Sequence, residues 1–439
     1  MLSESVERDK LWAAHSIVQG DFGFGIRGLA GRGEIRPDAE CGRGLLIAGS
    51  IEMRGGVLSR ILHSSPLSFL NPLLPIPFPH SALGRGCRLI AGLSLSSAVA
   101  SAQLPARKEV RFCAGGDVSL GTNLDTTWAV IRRARALPDP KELLAPLAPL
   151  VSGADVILLN VEGAIGSGYA PRKCAPRSTM CYALRQQPSV AAALRHLNDS
   201  ALVIGNVANN HAHDAGDAGL LETRRRLGEA GVLITGADTL ATAVPVADGD
   251  TIGVLGFSPW TIARIADLET VRRLVRRAAD RFGRVIVTMH IGAEGVTARH
   301  TPDKIEVYAG EIRGNSVAFA RAAVEGGASL VIGSGPHVLR AIEWNGNALI
   351  AHSLGNLITY GPFNHAGYTD HGAVLCAKLG ADGAVHDAVL HSTVQQAPGY
   401  MQADSANLGV RDISELSKQD FPRTGAEISP TGEIKRRPN

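Results

Sequence analysis

Aromatic residues make up only 5% of this 439-residue chain, and its 44 basic and 41 acidic side chains leave a formal charge of just +3. A nucleic-acid binder needs a basic face interleaved with aromatics, so no nucleic-acid partner is expected. The arginine-rich pattern Val271 to Arg284 reads instead as the solvated face of a helix, with Leu274, Val275 and Ala278 as its buried stripe. Long apolar runs are scarce too. Pro66 to Ser81 is apolar but broken by five prolines, whereas a membrane helix takes about 20 uninterrupted apolar residues. None of the six cysteines stands at C-x-x-C spacing, which removes the usual zinc and dithiol signatures. Cys113 and Cys376 fall in apolar strand-like runs and read as small core residues. Cys174 and Cys181 bracket a polar loop and are expected to form a disulfide in an oxidising compartment.

What is present divides the chain into three. Residues 1–105 hold Gly and Pro clusters without a sustained period, and read as a poorly structured extension. Within it, Arg85 and Arg88 precede the apolar run Leu89 to Ala100, followed by Ala100-Ser101-Ala102. A basic start, a short apolar stretch and an A-x-A site together read as a secretory signal peptide, about residues 83–102. The expectation is translation starting near residue 83, a mature chain starting near Gln103, and export to the periplasm or cell envelope. Residues 106–400 form the main domain, with apolar content enough for a core. Residues 401–439 read as a polar, loosely ordered tail.

The main domain is organised around Ala201 to Gly219. A short apolar run, Ala201 to Ile204, breaks into a polar turn holding Asn206, Asn209, Asn210, His211, His213 and Asp214, and a helical pattern follows. In an α/β sheet such a loop lies at the carboxyl end of a strand, where ligands bind. The arrangement recurs. Strands expected at Val110–Ala114, Asp155–Leu159, Ala201–Ile204, Arg284–Met289 and Ser329–Ile332 run into Asp117, Glu162, Asn210 with His211, His290, and His337. A buried strand needs no such terminus. Hard oxygen and imidazole donors suit a divalent cation, Mn, Fe, Zn or Mg, with one or two ions held. A carboxylate shared by two cations allows a two-metal site that activates water and clamps a phosphoryl oxygen.

With those residues in view, the chain resembles the poly-γ-glutamate capsule biosynthesis family (CapA, also called PgsA), which is similar in fold to the calcineurin-like metallophosphoesterases. The matching segments run in the family's order: GDVSLG (116–121), NVEG (160–163), NVANNHAHDAG (206–216), MHIGAE (289–294), GSGPHVLRAIE (333–343) and HSLGN (352–356). The resemblance implies an α/β class: a layered α/β sandwich of the metallophosphoesterase type, its metal or active site at the carboxyl ends of the strands. It implies Asp117, Glu162, Asn210, His290 and His337 as metal ligands, and His211, aided by Asp214, as the catalytic pair. It implies Glu294, Asn356 and Asn209 as substrate contacts. Two positions depart from the phosphoesterase pattern. Ser119 stands where a histidine usually follows the first aspartate, and Gly335 replaces the first member of a late His-x-His pair. The expected function is an exported protein of capsule or related surface-polymer biosynthesis, acting as a metal-dependent hydrolase on an anionic polymer or a phosphoester. The alternative is a non-catalytic envelope subunit that guides a polyanion, with other capsule-synthesis subunits as partners.

Overall fold

In the computed structural model, which describes residues 108–121, 137–167, 182–260, 265–361 and 363–438, the apolar runs become strands buried on both faces. All of these residues belong to one unit, Ser96–Asn439. In chain order they form β1 (Val110–Ser119), α1 (Pro140–Leu144), β2 (Val156–Val161), the two-residue strands β3 (Ala164–Ile165) and β4 (Arg185–Gln186), α2 (Val190–Arg195) and β5 (Leu202–Asn206). Then come α3 (Gly216–Glu229), β6 (Leu233–Thr235), β7 (Thr242–Pro245), β8 (Thr251–Phe257), α4 (Leu268–Phe282) and β9 (Val285–His290). The hairpin β10 (Glu306–Tyr308) and β11 (Glu311–Gly314) precedes α5 (Ser316–Gly326), β12 (Leu330–Ser334), β13 (Ile342–Asn345), β14 (Ala348–Ala351) and β15 (Asn356–Thr359). The chain closes with β16 (His371–Leu379), β17 (Val385–Gln396), β18 (Tyr400–Ala403), α6 (Leu408–Asp420), β19 (Glu427–Ile428) and β20 (Glu433–Lys435).

Two sheets carry the architecture. One runs β19-β20-β17-β16-β1-β2-β5-β6, with β15 also on β1 and β18 on β17; the other runs β13-β14-β12-β9-β8-β7. Side chains alternate across each strand, so each sheet feeds two cores. Phe112, Ala114, Val156, Leu158 and Ile204 of the first sheet pack with Val254, Ile286, Leu330 and Ile332 of the second. On the outer face of the first sheet, Cys113, Ile157, Leu159 and Val203 meet Val190 and Leu194 of α2 and Leu227 of α3. On the outer face of the second, Val287, Val331 and Ile350 meet Val271 and Val275 of α4 and Phe319 and Ala323 of α5. The result is a four-layer α/β/β/α sandwich, the class expected from the sequence. Strands covered on both faces must be apolar throughout, which is why these runs were legible. The parallel pairs β1–β2, β2–β5, β8–β9 and β9–β12 bring their carboxyl ends to one edge.

Four expectations change. The C-terminal segment is not a loose tail: Val410, Ile413 and Leu416 of α6 and neighbouring Phe421 are buried, and β20 pairs with β17. Its apolar residues recur at helical spacing within a polar stretch, and only the surface they cover makes a helix of them. Cys113 and Cys376 are not separate core thiols. They are cross-strand partners of antiparallel β1 and β16, joined in a disulfide. Arg284 lies beyond α4, whose end is set by Gly283 (φ 73°), and its buried guanidinium pairs with Asp250. Leu274 is only partly buried; the stripe of α4 is Val271, Val275, Ala278 and Phe282. The N-terminal extension, its signal-like segment and the Cys174–Cys181 pair lie outside the described residues. No helix among those described is long and apolar enough to cross a membrane.

Candidate metal centre

Register builds the site. Asp117 on β1 stands beside Asn356 on β15 and Asn160 on β2, and Asn160 stands beside Asn206 on β5. Four neighbouring strands of one sheet therefore carry a polar row at their carboxyl edge. In the second sheet Ser334 of β12 is the register partner of His290 of β9. The row is wired by carboxamides. Asn206 Nδ2 donates to Asn160 Oδ1 at 2.9 Å, and Asn160 Nδ2 donates to Asp117 Oδ1 at 2.8 Å and lies 3.2 Å from His290 Nδ1. His290 Nδ1 also meets Ser334 Oγ at 3.0 Å, and its Nε2 meets Asn210 Oδ1 at 2.9 Å.

Donor atoms of Asp117, Glu162 and His337 lie within 4.8 Å of one another. Glu162 follows β2, its backbone N–H held by Val118 O at 2.9 Å. Its side chain is fully buried, and neither carboxylate oxygen has a hydrogen-bond partner. A buried, unpaired carboxylate is costly. Its Oε1 has three imidazole nitrogens nearby: His337 Nε2 at 3.6 Å, His290 Nε2 at 3.8 Å and His211 Nε2 at 4.0 Å. His337 adopts φ 57°, a left-handed conformation histidine tolerates better than most residues. Its Nδ1 faces Asn356 Oδ1 at 2.9 Å and Asp117 Oδ2 at 3.2 Å, leaving Nε2 toward Glu162.

The electrostatics follow from burial and crowding. Burial, then the charge of Asp117, drives the Glu162 carboxyl well above its ordinary range, against the pull of His337. Burial opposes protonation of His337, but the charge of Glu162, the bond to Asp117 and the charge of Glu294 hold it well above the usual imidazole value. Burial also opposes ionisation of Asp117, yet the bond and charge of His337, with His290 and Asn160, keep it low. His290 falls to about 4, chiefly through burial. Asp117 and Glu162 thus converge on one imidazolium, with Glu294 answered by Arg313, and burial beside Asp117 disfavours a second negative charge at Glu162.

The remaining expected residues divide. His211 and Asp214 are together, Nδ1 to Oδ2 at 2.5 Å, and Asp214 also accepts from Leu184 N at 2.6 Å. Glu294 is paired with Arg313 and lies 3.9 Å from His337 Nε2. Glu294, Asn356, His211 and His337 line a 330 Å³ cavity with Tyr182, Tyr308 and Phe363. Asn209 is a correction. It is buried, its amide donates to Asn160 Oδ1 and Val161 O, and its Oδ1 accepts from His211 N, so it braces the loop instead of facing a substrate. Asn160, Asn206, Ser334 and Arg313 were not expected. Their only signal was a polar side chain at the end of an apolar strand or hairpin. Gly335 has φ 108°, and a Cβ there would stand 3.1 Å from His290 Cδ2, so any side chain at this position would crowd His290 in a strained backbone.

Residues 111–360 match the family model of the bacterial capsule synthesis protein PGA_cap. The PGA biosynthesis protein CapA of Bacillus subtilis (strain 168) is 28% identical over 185 residues, 38% of this chain and 45% of that protein. The match therefore spans less than half of that curated relative. Among solved structures, the 5′-nucleotidase precursor from Thermus thermophilus overlaps 72% of this chain and 60% of its own at 13% identity and a TM-score of 0.37. The calcineurin-like phosphoesterase YfkN from Bacillus subtilis overlaps 72% and 97% at 12% identity and a TM-score of 0.34. Overlaps of that quality assign no residue and no activity.

Proposed function

The chain belongs to the bacterial capsule synthesis protein PGA_cap family, whose model covers more than half of it, and we propose that it is an exported, metal-dependent hydrolase acting in the production of poly-γ-glutamate or a related anionic surface polymer. The observation that carries the reading is Glu162: a buried carboxylate, both oxygens unpartnered, among three imidazoles and Asp117. A divalent cation resolves that arrangement. Asp117, Glu162 and His337 would hold it, with Asn210 and His290 beside them. Such an ion supplies positive charge to polarise a phosphoryl or carbonyl oxygen and to bring water to reactivity near neutral pH.

The protein's own residues do the rest. Asp214 accepts from His211 Nδ1 and fixes the ring, which leaves Nε2 as the nitrogen that exchanges a proton with the reacting group. Asn356 orients His337 in the same way, the usual support for a ligating histidine. The cavity binds the substrate against Tyr182, Tyr308 and Phe363, and Arg313 neutralises Glu294 at its wall. Export is supported by the signal-like residues 83–102 and by the Cys113–Cys376 disulfide, a bond that persists in oxidising compartments. The domain then runs from about residue 106 through β20.

Gly335 and Ser119 favour a second reading, an envelope subunit that binds the polymer without hydrolysing it. Assays of the purified full chain on an aryl phosphate and on poly-γ-glutamate, with and without Mn, separate the two. Metal-dependent turnover of either supports the enzyme. Bound metal without turnover of either leaves only the polymer-binding subunit.

A further inference from the structure

Three separate stretches of chain bring an aromatic ring to the cavity beside the metal centre: Tyr182 before β4, Tyr308 at the end of β10, and Phe363 after β15. Each is held from behind. Leu184, two residues after Tyr182 and also in the lining, donates its N–H to Asp214 Oδ2. Arg313 lies over the Tyr308 ring, its Cζ 5.3 Å from the centroid. Phe363 meets the His337 ring edge-on, with centroids 6.0 Å apart. The loop after Phe363 is closed by Thr369. Its hydroxyl donates to Asn364 O and Ala366 O, both at 2.9 Å, and its carbonyl accepts from Asn356 Nδ2 at 3.0 Å. The rings are thus fixed by the fold itself.

Charge then selects among ligands. The faces of aromatic rings are electronegative and repel anions. Among the described residues no lysine or arginine lines the cavity, so a carboxylate entering it would lose water without gaining a partner. Tyr308 supplies a neutral wall: burial, then the charge of Glu294, raises its hydroxyl above the ordinary value, against the pull of Arg313. A cationic ligand is no better served. Arg313 already holds the two groups that would attract one, the Glu294 carboxylate and the Tyr308 ring. An uncharged ring meets neither penalty, and it gains apolar burial and edge-to-face contact with the walls. At 330 Å³ the cavity is at the small end of ligand pockets, with room for a small ring system.

The anionic part of a ligand has its place next door. His211 and His337 belong both to the cavity lining and to the metal centre, so a ring in the cavity adjoins whatever group the cation holds. We propose that the substrate is a small phosphoester bearing an uncharged planar ring beside its phosphoryl group, and that Tyr182, Tyr308 and Phe363 select it. This rests on the reading of the centre as a hydrolase, and within that reading it names a ring-bearing ester as the substrate in place of a link inside the polyanion.

The test measures binding, which needs no turnover. Calorimetric titration of the Mn-loaded full chain compares phenylphosphonate with methylphosphonate, phosphonoacetate and aminomethylphosphonate. The four share a phosphonate and differ in what enters the cavity. Phenylphosphonate should bind about tenfold more tightly than methylphosphonate, and the added carboxylate or ammonium should bring no gain. The ratio of the phenyl to the methyl affinity should fall to near unity in the double variant Tyr182→Ala with Phe363→Ala, and should persist in Tyr182→Phe. The ratio of kcat/KM for phenyl phosphate over methyl phosphate should follow it. The expected order of binding without any turnover of phenyl phosphate would support the ring site and remove the hydrolase reading alone. Equal affinity for phenyl- and methylphosphonate, tighter binding of phosphonoacetate or of aminomethylphosphonate, a phenyl preference that survives the double variant, or binding of none of the four overturns the proposal.

Discussion

The two ends of strand β2 are opposites. Val156 to Leu159 pack between the sheets on one face and against helices on the other, each with its polar backbone paired. Asn160 and Glu162, at the other end, are just as buried, but the side chain of one is wired into a chain of carboxamides and the carboxylate of the other has no hydrogen-bond partner. The same division runs along β1, from Phe112 and Ala114 to Asp117, and along β9, from Ile286 to His290. One half of each strand packs the core; the other half carries buried polar and ionisable side chains. A protein pays for such a site with stability made elsewhere.

Changes at the two ends should therefore separate function from stability. His211→Ala should reduce turnover roughly 10²–10⁴-fold, about 3–5 kcal/mol of barrier, while leaving the melting temperature and bound metal close to wild type. A loss of folding equal to the loss of rate would erase the distinction. Leu158→Ala, at the packed end, should lower the unfolding free energy by about 2–5 kcal/mol in urea titrations, with turnover of the folded fraction unchanged.

The third experiment uses pH. In metal-stripped protein, folded His290 stays neutral down to about 4, whereas in the unfolded chain it takes a proton near pH 6.5. Falling pH therefore favours the unfolded state across that window, by at most about 3 kcal/mol. His290→Gln should lack this loss, so the wild-type minus variant stability should decline from pH 6.5 to 4 and be level above it. Taking the difference also removes Glu162, whose raised pKa acts in the opposite direction. His337 acts above pH 6.5: its raised pKa adds stability that is lost as pH climbs through the folded value. The smallest effect is expected at Glu162→Gln, which should raise the stability of metal-free protein by about 1 kcal/mol by removing a carboxyl whose buried site disfavours its ionisation. A comparable drop would mean that Glu162 has a structural partner.

Much of this division was legible beforehand because it is written locally. An apolar run ending in Asp117, Glu162, His290 or His337 is visible without a fold, whereas the layered α/β class was implied by the family resemblance. What was missed depends on distant partners. The Cys113–Cys376 bond joins strands 263 residues apart in sequence, and nothing local distinguishes a bonded core cysteine from a free one. Asn160 and Asn206 matter because β1, β2 and β5 align in register, a fact of pairing and not of pattern. Asn209 resembles a substrate contact because its neighbours face the cavity; the turn aims it inward instead. α6 was hidden because its few apolar residues form a core only against the sheet they cover.

The central claim is that the unpaired ends converge on a cation. Calorimetric titration of Mn into chelator-stripped protein, followed by thermal melting of the same samples, tests it most directly. The wild type should show saturable binding and a rise in melting temperature, equivalent to about 2.7 kcal/mol at a hundredfold excess over Kd. Both should be lost in Glu162→Ala and His337→Ala and kept in His211→Ala. Absence of binding and of any melting shift with Mn, Fe, Zn and Mg alike, or equal binding by Glu162→Ala, would contradict it.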